Sequence, residues 1–182
     1  MNDIFNMRLT RRTLLKGGGS TLMAMTILPG GMIVGASNSW ASTPKTLAAS
    51  DFATLVQVCR DIYPHDHLAD SFYAKVVEGL DAAATESADE KSVLEAGIAA
   101  LNQSAQSAHS ADYGMVAWEI DRVNILRNMQ GDAFFQKLRG SLVTGIYNNP
   151  EVWPLFGYEG ESASQGGYLN RGFDDIDWLD QV

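Results

Sequence analysis

Apolar residues recur at three- and four-residue spacing in five blocks between residues 50 and 147, the signature of helices that each bury one face. Phe52, Leu55, Val56, Cys59 and Ile62 predict a first helix over Asp51–Ile62, capped by Ser50 and stopped at Pro64. A second opens at Asp70 and turns Tyr73, Val76, Val77 and Leu80 inward. Ser87 and Glu90 form a Ser-x-x-Glu capping box for a third, which uses Val93, Leu94, Ile98 and Leu101 and runs to about Ala108. Its end, Gln103 to Ser110, is rich in Ser, Ala and Gln and is expected to fray. A fourth helix is expected from Met115 to Met129 on Trp118, Arg122, Ile125, Leu126 and Met129, broken by Gly131. Asp132 then caps a fifth, which presents Phe134, Phe135, Leu138, Leu142, Val143 and Ile146 and reaches Tyr147.

The pattern stops at the turn signal Asn148-Asn149-Pro150. Residues 150–182 have no helical period and no clean strand alternation, yet they carry Trp153, Phe156, Tyr158, Tyr168, Phe173 and Trp178. So many rings need a surface to lie on, either this chain's own core or a partner. The expected fold is therefore all-α: a small irregular bundle of about five helices over 42–149 and a long irregular aromatic arm over 150–182. No internal repeat is present.

The chain's N-terminal end reads as an address. Thr10, Arg11, Arg12, Leu14, Leu15 and Lys16 resemble the twin-arginine export motif, a polar residue before an Arg pair and apolar residues after it. A weakly apolar stretch from Gly17 to Ala36 follows, too broken by glycine for an ordinary membrane span. Ser39-Trp40-Ala41 offers a small-x-small site, so residues 1–41 are expected to be a leader cleaved after Ala41; the alternative is an uncleaved anchor. This route carries folded proteins, so the chain, or something bound to it, is expected to fold before export.

Charge sharpens the picture. The 182 residues hold 13 Lys+Arg and 22 Asp+Glu, a net of −9. Four of the basic residues and one of the acidic ones precede position 42, so the remainder carries 9 against 21, a net of −12. Such a surface argues against nucleic acid as partner. One cysteine, Cys59, excludes an internal disulfide framework, an iron–sulfur site held by this chain alone and a Cys-rich zinc site. On its apolar stripe Cys59 reads as a buried, inert thiol, or else as a bridge to a partner cysteine in an oxidising compartment.

A family resemblance joins these features. Ile62-Tyr63-Pro64-His65-Asp66, Gly145-Ile146-Tyr147-Asn148-Asn149-Pro150, Val152-Trp153-Pro154-Leu155-Phe156-Gly157-Tyr158-Glu159-Gly160 and Gly166-Gly167-Tyr168, behind a twin-arginine leader, resemble the small subunits of membrane-bound flavin dehydrogenases. The similarity is to the gluconate 2-dehydrogenase subunit 3 group and to the small subunits of bacterial sugar dehydrogenases. It is patchy over 81–117. The resemblance implies a periplasmic, membrane-associated complex. Its large subunit would be of the glucose–methanol–choline type, bind FAD, possess no leader of its own and oxidise a sugar or alcohol. A multihaem cytochrome c would sometimes be a third chain. The small subunit would carry the export signal, engage the Tat translocase and help its partner mature. It would hold no cofactor and no catalytic residue, and would clamp the partner through Tyr63, Pro64, His65, Asp66, His67 and Tyr147 together with the arm's rings, Trp153, Phe156, Tyr158, Tyr168, Phe173 and Trp178.

Other residue groups carry a weaker chemical signal. His65-Asp66-His67 offers imidazole and carboxylate ligands for a metal and supports an alternative, a stand-alone periplasmic enzyme. Residues two apart diverge unless the loop curls, and no His-Glu-x-x-His spacing exists. Asp174-Asp175-Ile176-Asp177 lacks the glycine and terminal Glu of a calcium loop. Gly17-Gly18-Gly19 follows no strand and lacks a Gly-Lys-Ser/Thr ending. There is no Gly-x-Ser-x-Gly elbow, no Gly-x-Gly-x-x-Gly fingerprint and no Cys-x-x-Cys-His. A second alternative is an exported scaffold with no redox link.

Overall fold

Five helices carry the computed structural model, which describes residues 25–36 and 39–169. The twin-arginine motif at 10–16, Phe173 and Trp178 lie outside those residues. Helix α1 spans Ala49–Ile62, α2 Asp70–Glu86, α3 Ala88–His109, α4 Glu119–Asn128 and α5 Ala133–Tyr147. The chain is thus mostly helical, as its periodicity predicts. Among the described residues no helix is long and apolar enough to cross a membrane.

Local signals set some of the helix ends. The α1 helix stops where Pro64 disfavours helical geometry for Tyr63, whose amide still reaches the Cys59 carbonyl at 3.2 Å. Ser87 Oγ accepts from the Glu90 amide at 3.3 Å, the forward half of the expected capping box. Three ends differ from the expectation. Ala48, not Ser50, occupies the cap of α1. The Ser/Ala/Gln-rich end of α3 is helical through His109 and closes on Ser110 in the left-handed region, φ 56°. And α4 starts at Glu119 rather than Met115, because Tyr113–Met115 form a 3-10 turn and the next residues run extended into Trp118, which caps the helix and is 41% exposed.

Core packing centres on α2, which lies against α1, α3 and α5. Phe52, Leu55, Tyr73, Val77, Leu94, Leu101, Leu138, Leu142 and Ile146 are all sealed from solvent. Phe134, Leu138, Leu142 and Ile146 fall at i, i+4, i+8 and i+12, one stripe of α5. Glycine at position 97 lets the Phe134 ring rest on α3, since a Cβ there would overlap it.

One polar cluster lies inside this core. Arg122, on the inner stripe of α4, meets Asp61 of α1 two-pronged, Nε donating to Oδ2 at 2.7 Å and Nη2 to Oδ1 at 2.9 Å. Tyr113 Oη donates to Asp61 Oδ2 at 2.8 Å and Gln57 Nε2 to Oδ1 at 3.1 Å. Arg122 Nη1 donates to the Val116 carbonyl at 2.9 Å. Burial and the neighbouring Asp61 charge push the Tyr113 hydroxyl far above its ordinary pKa, so it stays protonated and donates.

The fold departs from all-α before α1. Strands β1 (Met25–Ile27), β2 (Ile33–Gly35) and β3 (Ala41–Ser42) form an antiparallel sheet in the order β1-β2-β3. Thr26 pairs with Val34 and Ile33 with Ser42. Gly30 and Gly31, at φ 95° and 82°, turn the first hairpin. These two glycines, which weaken the apolar stretch as a helix, suit it to a tight turn. Ile33 is 0% and Trp40 9% exposed, so the sheet is seated on the core. The Ala41–Ser42 bond expected to be cut lies within β3.

Beyond the sheet, buried Asp81 of α2 accepts from three successive amides, Lys45 at 2.6 Å, Thr46 at 3.1 Å and Leu47 at 2.8 Å. Replacing Asp81 by Ala orphans these donors and is expected to cost about 1–3 kcal/mol of unfolding free energy, read by urea denaturation. A midpoint unchanged from the parent would contradict the clamp.

Candidate functional site: an aromatic and imidazole face

The loop after α1 is held from below. The buried Tyr73 hydroxyl donates to the Tyr63 carbonyl at 2.6 Å and accepts from the His65 amide at 3.2 Å. Arg60 Nη1 donates to Asp70 Oδ1 at 2.9 Å, tying the end of α1 to the start of α2 across that loop. Tyr63, His65 and His67 therefore project from a braced turn.

The arm comes back to meet them. Val152, 0% exposed, anchors it to the bundle, and Trp153–Phe156 form a 3-10 turn. Phe156 lies edge-on to both imidazoles, with ring centroids 4.9 Å from His65 and 4.9 Å from His67. Tyr147, at the end of α5, sits 5.7 Å from Phe156 and 5.8 Å from Tyr63. Its hydroxyl and His65 Nε2 share a hydrogen bond of 2.6 Å. Trp153 Nε1 donates to the Tyr147 carbonyl at 2.8 Å, and its ring meets Tyr158 at 5.3 Å. Two sequence segments expected to dock a partner thus form one continuous face.

Tyr147 and Phe156 are each 38% exposed, and Leu155 and Tyr158 about half exposed. Rings fixed in place yet open to solvent are suited to recognition. Pro64 and Asp66 are exposed at its margin. Tyr168, 71% exposed, makes none of these ring contacts. Leu155, on the same 3-10 turn as Phe156 and about half exposed, escapes a reading that looks for rings.

Burial lowers the pKa of His65, helped by the nearby His67 and Arg60 charges. A histidine whose folded pKa lies below its unfolded value binds more protons when unfolded. Its contribution to stability is therefore present above the unfolded pKa, about 6.5, and declines as pH falls through the folded value. Urea midpoints measured from pH 7.5 to 5 are expected to fall, and His65→Gln is expected to flatten that slope. An identical slope in the variant would contradict the linkage.

Among the described residues, no three His, Cys, Asp or Glu side chains converge in a way that could hold a metal. His65 and His67 do approach, with centroids 5.7 Å apart, but both rings lean on Phe156. Cys59 is fully buried and its thiol pKa is pushed well above the ordinary range by desolvation and by Asp61, which makes it a poor nucleophile.

No protein-family model, no curated protein and no solved structure matches the chain.

Proposed function

We propose that the chain is a non-catalytic small subunit of a periplasmic, membrane-associated FAD-dependent sugar or alcohol dehydrogenase. It escorts the large subunit through the twin-arginine route and remains bound to it. The observation that carries this reading is the exposed face in which Tyr63, His65, His67, Tyr147, Trp153, Phe156 and Tyr158 lie together. The motifs behind the family resemblance, the Tyr63–Asp66 loop, the Tyr147–Pro150 turn and the Trp153–Gly160 stretch, supply most of that face. Its centre of fixed aromatic rings suits a protein partner. FAD sits in that partner, and a multihaem cytochrome c is the natural third chain of such a complex. Arg11 and Arg12 address the translocase for both proteins.

A tagged pull-down from native periplasm and detergent-extracted membrane tests this. A stoichiometric large chain with flavin absorbance is the expected result, and replacing Arg11 and Arg12 by Lys should strand both chains in the cytoplasm. A colourless single chain overturns the reading; bound metal lost in His65→Ala would point to the stand-alone enzyme instead.

A further inference from the structure

We propose that the sheet of strands β1, β2 and β3 is a permanent strap of the folded protein, and that any leader removed from it ends before Met25. The sheet fills a place in the core. Ile33 is 0% and Trp40 9% exposed, both within the buried core, and Trp40 borders a surface hollow together with Ser71, Phe72 and Lys75 of α2. Glycine at position 35 is what admits the indole, since a Cβ there would run into the Trp40 ring. The Gly35 amide donates to the Trp40 carbonyl at 2.9 Å, closing the connection between β2 and β3.

The bond after Ala41 is correspondingly guarded. Ala41 pairs with Val34 and Ser42 with Ile33, whereas a peptidase needs its substrate as a free extended segment. Only three residues past the bond, the amides of Lys45, Thr46 and Leu47 are fixed on the Asp81 carboxylate. Cutting at Ala41 therefore requires the sheet to lift away from the bundle, a sub-global opening rather than the fraying of an end. A route that transports folded proteins gives the sheet time to form first. Removal of 1–41 would also strip Ile33 and Trp40 from the core.

Two measurements decide it. The first, which rests on the export reading, is intact mass and N-terminal sequencing of the chain recovered from the periplasm. A start at or before Met25 is expected, and a start anywhere from 26 to 42 overturns the strap. Absence of the chain from that fraction counts against the export reading and leaves the strap to the second measurement. That compares melting of the full chain, a chain starting at Met25 and one starting at Ser42. The Met25 chain should match the full chain within about 2 °C, and the Ser42 chain should melt about 10 °C lower or lose its cooperative transition. Equal melting of the two truncations overturns the proposal. Gly35→Val in the full chain guards against a trivial loss of folding: it should lower the melting temperature by about 5 °C, and no change means that the strap is not seated.

Discussion

Asp61→Ala is expected to lower the unfolding free energy by about 3–5 kcal/mol, a large share of the roughly 5–15 kcal/mol that holds an ordinary domain together. Arg122 is 0% exposed, and the substitution removes the carboxylate that meets its Nε and Nη2. Tyr113 and Gln57 lose an acceptor in the same step. The guanidinium cannot shed its charge, so it must stay in a dry site without its counter-ion or drag water in. Urea denaturation measures the loss, and a variant within 1 kcal/mol of the parent would sink the argument. The double variant Asp61→Leu/Arg122→Met separates the pair's net worth from the penalty of breaking it. It is expected to recover most of the stability, because desolvation of both charges offsets most of their attraction.

Phe156→Ala is expected to do the opposite: little to folding and much to association. The ring is 38% exposed and rests on two imidazoles that are themselves at the surface, so its loss should cost less than about 1 kcal/mol of stability. If the face docks the large subunit, the same change should weaken capture about 30-fold, near 2 kcal/mol, as for a central aromatic anchor. Competition between parent and variant for a limiting amount of the large subunit reads that ratio. A ratio within threefold of unity would remove Phe156 from the interface.

The helices were legible because each needs only its own sequence: an apolar stripe, a Pro at 64, a Ser at 87. The start of α4 was not, because a buried charge on that helix, held by Asp61 of α1, overrides the stripe. Arg122 Nη1 takes the carbonyls of Val116 and Ala117, at 2.9 and 3.4 Å, so the backbone there serves the buried guanidinium instead of a helix. The sheet is hidden in the sequence for a related reason. Its strands are two or three residues long, and Ile33 reads as part of a leader until the core that covers it is known. Asp81 gives no local sign that it will cap amides more than thirty residues upstream. Both halves of the aromatic face were nameable in the sequence. Their union was not, since the His65–Tyr147 bond spans 82 positions and depends on how α2 and α5 pack.

Burial of Cys59 has a practical consequence. It is the chain's single cysteine, fully buried, and its thiol resists ionisation. A thiol-reactive dye should therefore label the native protein only as fast as the last turn of α1 becomes transiently exposed. The unmodified protein thus carries its own clock for the breathing of its interior, and binding of a partner would register as a slowing of that clock.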